Sequence, residues 1–386
     1  LFVFKYMNFT TSSLHRFFPV TEQWFEVTKF VLPIGISFFT FQALSYVVDV
    51  YRGLPVQKNP AYIGLYISLF PQLIAGPIVR YSTIEDQIGE RQITLDSFSG
   101  GVLRFLRGFN KKILLANILA QVADKAFGAN QLSAGMAWLG VLCYTLQIYF
   151  DFSGYSEMAI GLGQMLGFRF LENFDYPYIS KTITEFWRRW HISLGTWFRD
   201  YVYFPLGGSR VDSKLRLIFN LFVVWVATGI WHGAKWNFML WGLMYFAVIA
   251  VEKLLSLPKW LEGHKKVAVF YQVFTLLVVV LGWVVFRSEN LPAAKLFVKS
   301  MLGMAGNGLM DSAAWFNLRE YIVVFAAGCL CATPVFKILK ERISNRGPRA
   351  AILCNGVGYV VQFLLFVVSV SFLVMNAHNP FIYFNF

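Results

Sequence analysis

The chain has 386 residues, 57% of them hydrophobic and 14% charged, with a mean hydropathy of +0.54 and a formal net charge of +13. Soluble domains carry roughly 25% charged residues, so a water-soluble globular fold is excluded and a polytopic membrane protein is expected. The Lys and Arg residues fall in short clusters between apolar runs, which reads as membrane topology and not as nucleic-acid binding.

The chain opens at Leu1 in the apolar piece "LFVFKYMNF", with no charged leader and no cleavage site, and helices preceding it are expected to be missing. Candidate spans then follow near 28–48, 60–79, 135–150, 152–168, 215–232, 236–252, 267–286, 320–339 and 351–376. Runs of about 20 residues suffice to cross a bilayer, which gives roughly eight or nine crossings. The runs are continuous instead of alternating, so the fold class is all-α and not a β-barrel. Two stretches are too polar to span: 98–125, with Arg104, Arg107, Lys111 and Lys112, and 180–216, with seven Lys or Arg against three Asp or Glu. They are expected to be interfacial or re-entrant helices. Re-entrant runs are expected on a second ground. The basic clusters at 104–112, 181–216, 253–266 and 337–349 cannot all face the cytoplasm if every apolar run crosses. With no repeat and no linker, residues 1–386 read as one membrane domain.

In "GLGQMLG", Gly163 and Gly167 are spaced for close helix packing, and the stretch continues a helix instead of following a strand, so a nucleotide loop is not expected. Cys143, Cys329, Cys331 and Cys354 all lie in apolar runs and read as buried small hydrophobes. Asp49, Asp151 and Glu157 are acids inside apolar runs, each expected to pair with an arginine or to cap a broken helix.

The scarce polar chemistry gathers in "TEFWRRWHISLGTWFRDYVYFPLGG", residues 184–208. Taken as one helix, Trp187, His191, Leu194 and Phe198 share a face, while Arg188, Arg189 and Arg199 project from the other flank toward anionic groups. Pro205, Gly207 and Gly208 end that helix. A second histidine, His232, closes a strongly apolar run in "ATGIWHGAKW", where Gly229 and Gly233 admit another backbone. Two of only five histidines are thus placed beside tryptophans in apolar surroundings. No His-x-x-x-His and no adjacent carboxylate accompanies them, so no metal site is expected. Serine and cysteine nucleophile motifs are also missing. What remains is proton transfer near neutral pH, which suits acyl transfer to a hydroxyl.

The segments "FKYMNF", "GISFFTFQALSYVVDVYRG", "LFPQLIAGPIVRY", "YFDFSGYSEMAIGLGQMLGF", "NFDYPYISKTITEFWRRWHISLGTWFRDYVYFPLGGSR", "GIWHGAKWNFMLWG" and "PFIYFNF" occur in this order through nearly the whole chain. In them the sequence resembles the membrane-bound O-acyltransferase family, in its bacterial alginate O-acetyltransferase branch. Gly195 departs from that pattern, where relatives often carry Ser. The resemblance implies a funnel-like helical bundle with a buried catalytic histidine at His232 and a second at His191. It also implies an acyl group taken from a cytoplasmic thioester, with acetyl-CoA as donor and no bound cofactor. Arg188, Arg189 and Arg199 are then candidates to guide that anionic donor. The expected setting is a bacterial inner membrane, with lipid around the bundle and an extracytoplasmic acetyltransferase partner completing transfer to a polysaccharide. Peptidoglycan O-acetylation and teichoic acid D-alanylation are the alternatives within the family. A transporter of acyl or lipid species is the alternative outside it, and it would be expected to show inverted repeats.

Overall fold

The structure is a computed structural model that describes residues 1–20, 33–74 and 76–375. Residues 28–32 of the first expected span, and the terminal "PFIYFNF", lie outside them. A π-helical turn at Phe2–Tyr6 leads into α1 (Met7–Phe17), followed by α2 (Ile36–Tyr51), α3 (Pro60–Ser68), the short α4 (Phe70–Leu73) and α5 (Tyr81–Glu90). Next come α6 (Leu95–Asn110), a π-helical stretch at Lys111–Ala116, α7 (Asn117–Gly128) and α8 (Ala134–Met165). The central part holds α9 (Ile183–Arg189), α10 (Ile192–Phe198), α11 (Lys214–His232) and α12 (Trp236–Leu254). The chain ends with α13 (Leu257–Glu262), α14 (Lys265–Arg287), α15 (Leu291–Met301), α16 (Ser312–Cys331), α17 (Val335–Ser344) and α18 (Pro348–Met375). Among the described residues there is no strand, only a single antiparallel bridge between Phe174 and Trp190.

This is an all-α, multipass membrane protein. Five described helices are long and apolar enough to cross a membrane: α11, α12, α14, α16 and α18. Several expected spans resolve differently. Runs 135–150 and 152–168 form the single 32-residue helix α8, because "FDFSG" holds no proline and its Asp151 and Gly154 are engaged sideways, with Lys112 and the Gly108 backbone, instead of capping a helix end. Run 60–79 breaks instead into α3, α4 and extended chain, with Leu69 in a β conformation ahead of the Phe70-Pro71 start of α4. Run 320–339 shifts to α16 and then breaks at Thr333-Pro334 before α17.

Helix α8 is the axis of the core, with α6 and α7 laid along it. Glycines set that approach. A Cβ at Gly161 would fall 2.6 Å from the Gly101 carbonyl oxygen, and one at Gly154 would fall 2.7 Å from that of Gly108. On each helix the two glycines are seven residues apart, two turns on one face, so backbone meets backbone at two levels. The Gly163–Gly167 pair does not make this contact. Gly163 faces the Phe170 ring, and Gly167 sits beyond the helix end at φ +81°.

The intramembrane acids pair with lysines and a tyrosine, not with arginines. Lys112 meets the buried Asp151, and Lys111 Nζ lies 2.7 Å from Glu157 Oε1. The π-helical stretch carries both lysines, and both acids lie on α8. Asp49 accepts from the Tyr201 hydroxyl at 2.7 Å. Of the cysteines only Cys143 is buried; Cys329 is exposed on α16, and Cys331 and Cys354 are intermediate. Cys331 packs against the core from its edge, so only part of the expectation of burial holds.

Gly108→Val at the α6–α8 crossing is expected to be more damaging than Gly356→Val on α18, because its side chain would meet the Gly154 carbonyl. Overpacking of this kind typically costs about 1–3 kcal/mol. The thermal midpoint of detergent-extracted protein should fall clearly below that of Gly356→Val, whose Cβ would enter open space.

Candidate active site

The segment from Thr184 to Gly208 is not one helix. Helix α9 stops at Arg189, Trp190 is extended and bridges Phe174, and His191 adopts a left-handed backbone at φ 46°, ψ 54° before α10 begins. The expected shared face of Trp187, His191, Leu194 and Phe198 is therefore corrected. Trp187 packs on Trp225, Trp241 and Tyr245, whereas Leu194 and Phe198 belong to a separate cluster with Phe38, Phe41 and Trp231. The physical cause is the pairing with residues 173–175. Asp175 N–H donates to the Arg189 carbonyl, and Ile192 N–H donates to the Asn173 carbonyl, each at 3.0 Å. These two bonds pin the chain on both sides of His191.

Spanning helices hold the segment in place. The buried Glu252 of α12 accepts from Ile183 N–H and Thr184 N–H, one on each carboxylate oxygen, both at 2.8 Å. A carboxylate at a helix start answers both the unpaired N–H groups and the positive end of the dipole. Helix α14 adds the Tyr271 hydroxyl to Glu252, Gln272 to the Ile179 carbonyl and Thr275 to the Lys181 carbonyl. Thr182 caps α9 from within, through Glu185 N–H.

His191 is 1% exposed. Its Nδ1 lies 3.1 Å from Asn173 Oδ1, which also accepts from Ser193 N–H at 3.2 Å and Ser193 Oγ at 2.9 Å. Asn173 Nδ2 donates to Ser156 Oγ on α8 at 3.0 Å. The Ser193 backbone N–H fixes which end of the amide is oxygen, so in a neutral imidazole Nδ1 must carry the proton. Nε2 is then a bare acceptor, and it is buried without a hydrogen-bond partner. Ser193 Oγ accepts in turn from Ile78 N–H at 3.0 Å, linking the network to the broken segment after α4.

His232 is the last residue of α11 and is 6% exposed. Its ring is enclosed by Trp231, Trp241 and Phe286 at centroid distances of 5.0, 4.9 and 5.2 Å. Gly229 and Gly233 act as expected. A Cβ at Gly229 would fall 2.5 Å from the Phe238 carbonyl oxygen, and one at Gly233 would strike the Phe238 ring, so α12 packs directly on the His232 turn. The Trp231 ring stands 6.0 Å from His191 as well. One indole thus touches both histidines, which are close enough to interact electrostatically.

The three arginines are engaged differently. Arg189 is held by Asp175 and Glu185, both at 3.0 Å. Arg199 is held by Asp200, which also binds Arg80. Arg188 is exposed, and among the described residues it has no carboxylate partner; Lys253 lies near it. No cluster of three or more His, Cys, Asp or Glu side chains suited to a metal ion occurs among the described residues.

Three residues of the site escaped the sequence reading: Asn173, Ser193 and Glu252. A signal existed for Glu252, an acid at the end of an apolar run. Asn173 and Ser193 carry no local mark, because their bonds to His191 depend on a turn that periodicity does not reveal.

Comparison with known proteins gives the family. The model of the membrane-bound O-acyltransferase family matches residues 5–287. The probable alginate O-acetylase AlgI of Azotobacter vinelandii is 40% identical over 99% of the chain and 82% of its own length, and that of Pseudomonas putida is 41% identical over 99% and 81%. The peptidoglycan O-acetyltransferase of Helicobacter pylori is 32% identical over 99% and 79%. The chain belongs to the membrane-bound O-acyltransferase family. It is an O-acyltransferase embedded in a membrane by several helices.

Asn173→Ala should release Nδ1 of His191 and leave the Ser193 N–H unpaired, at about 1–3 kcal/mol for a buried group left unsatisfied. Acyl transfer by membranes carrying equal amounts of protein is expected to fall at least tenfold. Ser156→Ala, which leaves the His191 contact intact, should fall less.

Proposed function

We propose that this chain takes acetyl from a cytoplasmic thioester, acetyl-CoA, for O-acetylation of an extracytoplasmic, alginate-type polysaccharide. Its setting is the bacterial inner membrane, and an extracytoplasmic acetyltransferase partner completes the delivery. The observation that carries this reading is the pair of buried imidazoles joined through Trp231, one of them with an unpaired ring nitrogen. The relatives named alginate O-acetylase support the choice of polymer.

In the proposed reaction the acceptor hydroxyl oxygen attacks the thioester carbonyl carbon. A C–O bond forms, the C–S bond breaks, and the hydroxyl proton passes by way of His232 to the departing thiolate. His232 is the general base, and His191 Nε2 accepts a hydrogen bond from a second donor of the acceptor, such as a neighbouring hydroxyl, and so orients it. Burial among aromatic rings excludes water, which protects the thioester from hydrolysis. Donor entry is supported by a line of contacts. Arg188 adjoins Trp187, Trp187 contacts Trp241 at 5.3 Å, and Trp241 contacts His232 at 4.9 Å. The indole N–H groups of Trp187 and Trp241 are buried without partners, and both are donors suited to carbonyl oxygens of a thioester arm. In this scheme Arg188 and Lys253 meet the donor's phosphates, while Arg189 and Arg199, already neutralised, contribute less.

Two predictions follow from these roles. His232→Asn keeps hydrogen-bonding capacity but cannot accept a proton near pH 7. Transfer of labelled acetyl from acetyl-CoA, in membranes holding the protein and its partner, should fall by about 10²–10⁴-fold, with normal protein level and monodispersity. Wild-type transfer by the folded variant would refute the base assignment. For the donor, Arg188→Gln should raise the acetyl-CoA KM several-fold while Arg199→Gln changes it little; equal effects would reject the distinction drawn between them.

A further inference from the structure

The last turn of α11 ends at His232, and Gly233 continues with extended backbone. The carbonyls of that turn have no helical partners ahead of them, and buried against protein they need donors from elsewhere. Two adjacent side chains at the start of the chain supply donors. Lys5 Nζ donates to the Trp231 carbonyl at 2.6 Å and to Ser37 Oγ at 2.9 Å. The Tyr6 hydroxyl donates to the Ile230 carbonyl at 2.7 Å. The Lys5 ammonium also lies 5.8 Å from the Trp231 ring centroid and 5.9 Å from that of Tyr6.

We infer that Lys5 and Tyr6 are positioning residues for His232, gripping the final turn of α11 through its terminal carbonyls and tying it to α2. The inference rests on the role proposed for His232. Three features support it. Lys5 is half-buried and has no carboxylate partner among the described residues, so its charge is met by a carbonyl, a hydroxyl and two aromatic faces. A cation at a helix C-terminus also complements the dipole of the 19-residue α11. Finally, the gripped residue is Trp231, whose ring touches both histidines, so a loosened turn would move the indole and the His232 ring together.

The test uses the full chain in membranes with its partner, with labelled acetyl-CoA varied as donor. Lys5→Met, Lys5→Arg, Tyr6→Phe and His232→Asn are compared at equal protein level. Misplacement of a reacting group by about 1 Å costs on the order of 10²-fold, so Lys5→Met is expected to lower kcat by about that factor with donor KM nearly unchanged. Lys5→Arg, which keeps a cationic donor, should recover most of kcat. Tyr6→Phe removes one hydroxyl and should lower kcat several-fold, which decides the matter if Lys5→Met fails to accumulate. Wild-type kcat in both Lys5→Met and Tyr6→Phe would overturn the inference. So would a rise in KM at constant kcat, which would make Lys5 a donor-binding residue, or an arginine variant as defective as the methionine one. His232→Asn separates the two levels of the argument. If it transfers acetyl normally, the role of His232 itself is wrong; if it is inactive while Lys5→Met and Tyr6→Phe are not, only the positioning role fails.

Discussion

Glu252 fixes the two backbone N–H groups that open α9, and the geometry of His191 depends on what those bonds make possible. A segment that breaks its helix inside a bundle exposes donors and acceptors that lipid cannot satisfy. Here spanning helices meet them with side chains: Glu252 from α12, and Tyr271, Gln272 and Thr275 from α14. The chain can then turn at Trp190 and reverse handedness at His191 while the backbone groups at Ile179, Lys181, Ile183 and Thr184 keep partners. A continuous helix would have needed no such support, but it would have put His191 on the same face as Trp187, among Trp225, Trp241 and Tyr245.

A second, independent frame holds α6 and α8 together. Glycine contacts bring the two backbones close, and just beyond them Lys111 and Lys112 reach Glu157 and Asp151. Such buried pairs add little net stability, since desolvation offsets the attraction. Their effect is to fix register: α8 cannot slide along α6 without separating both pairs. Ser156, which holds Asn173, lies on the same stretch of α8 as those acids, so the register of the scaffold sets the position of the His191 network.

The helical class, the apolar spans from residue 214 onward and the two histidines were legible from composition and periodicity, because lipid imposes a long continuous apolar run on any helix facing it. The glycines beside His232 were legible as well, since small residues four apart have few other uses in such a run. Helix breaks were harder to read. "WRRWHISL" has no proline or glycine at the break, and its periodicity fits one helix; the turn arises from pairing with residues 173–175, a contact between segments distant in sequence. The joining of two expected spans into α8 has the same origin in reverse. Its polar residues looked like a boundary but are paired sideways, with lysines on the neighbouring π-helical stretch. The arginines also illustrate the limit of a local reading. Three similar side chains were visible, but only their partners distinguish Arg188, which has no carboxylate partner among the described residues, from the neutralised Arg189 and Arg199.

The left-handed backbone at His191 narrows what evolution can place there. Most side chains resist that conformation, and β-branched ones resist it most, while Asn, Asp and His tolerate it comparatively well. The position therefore filters replacements twice, once by handedness and once by the need for a polar atom facing Asn173. Asparagine passes both filters, because its amide can donate where the imidazole Nδ1–H does. Exchange between His and Asn is thus the natural path of drift at this site, one that would keep the fold while trading a titratable group for a fixed one.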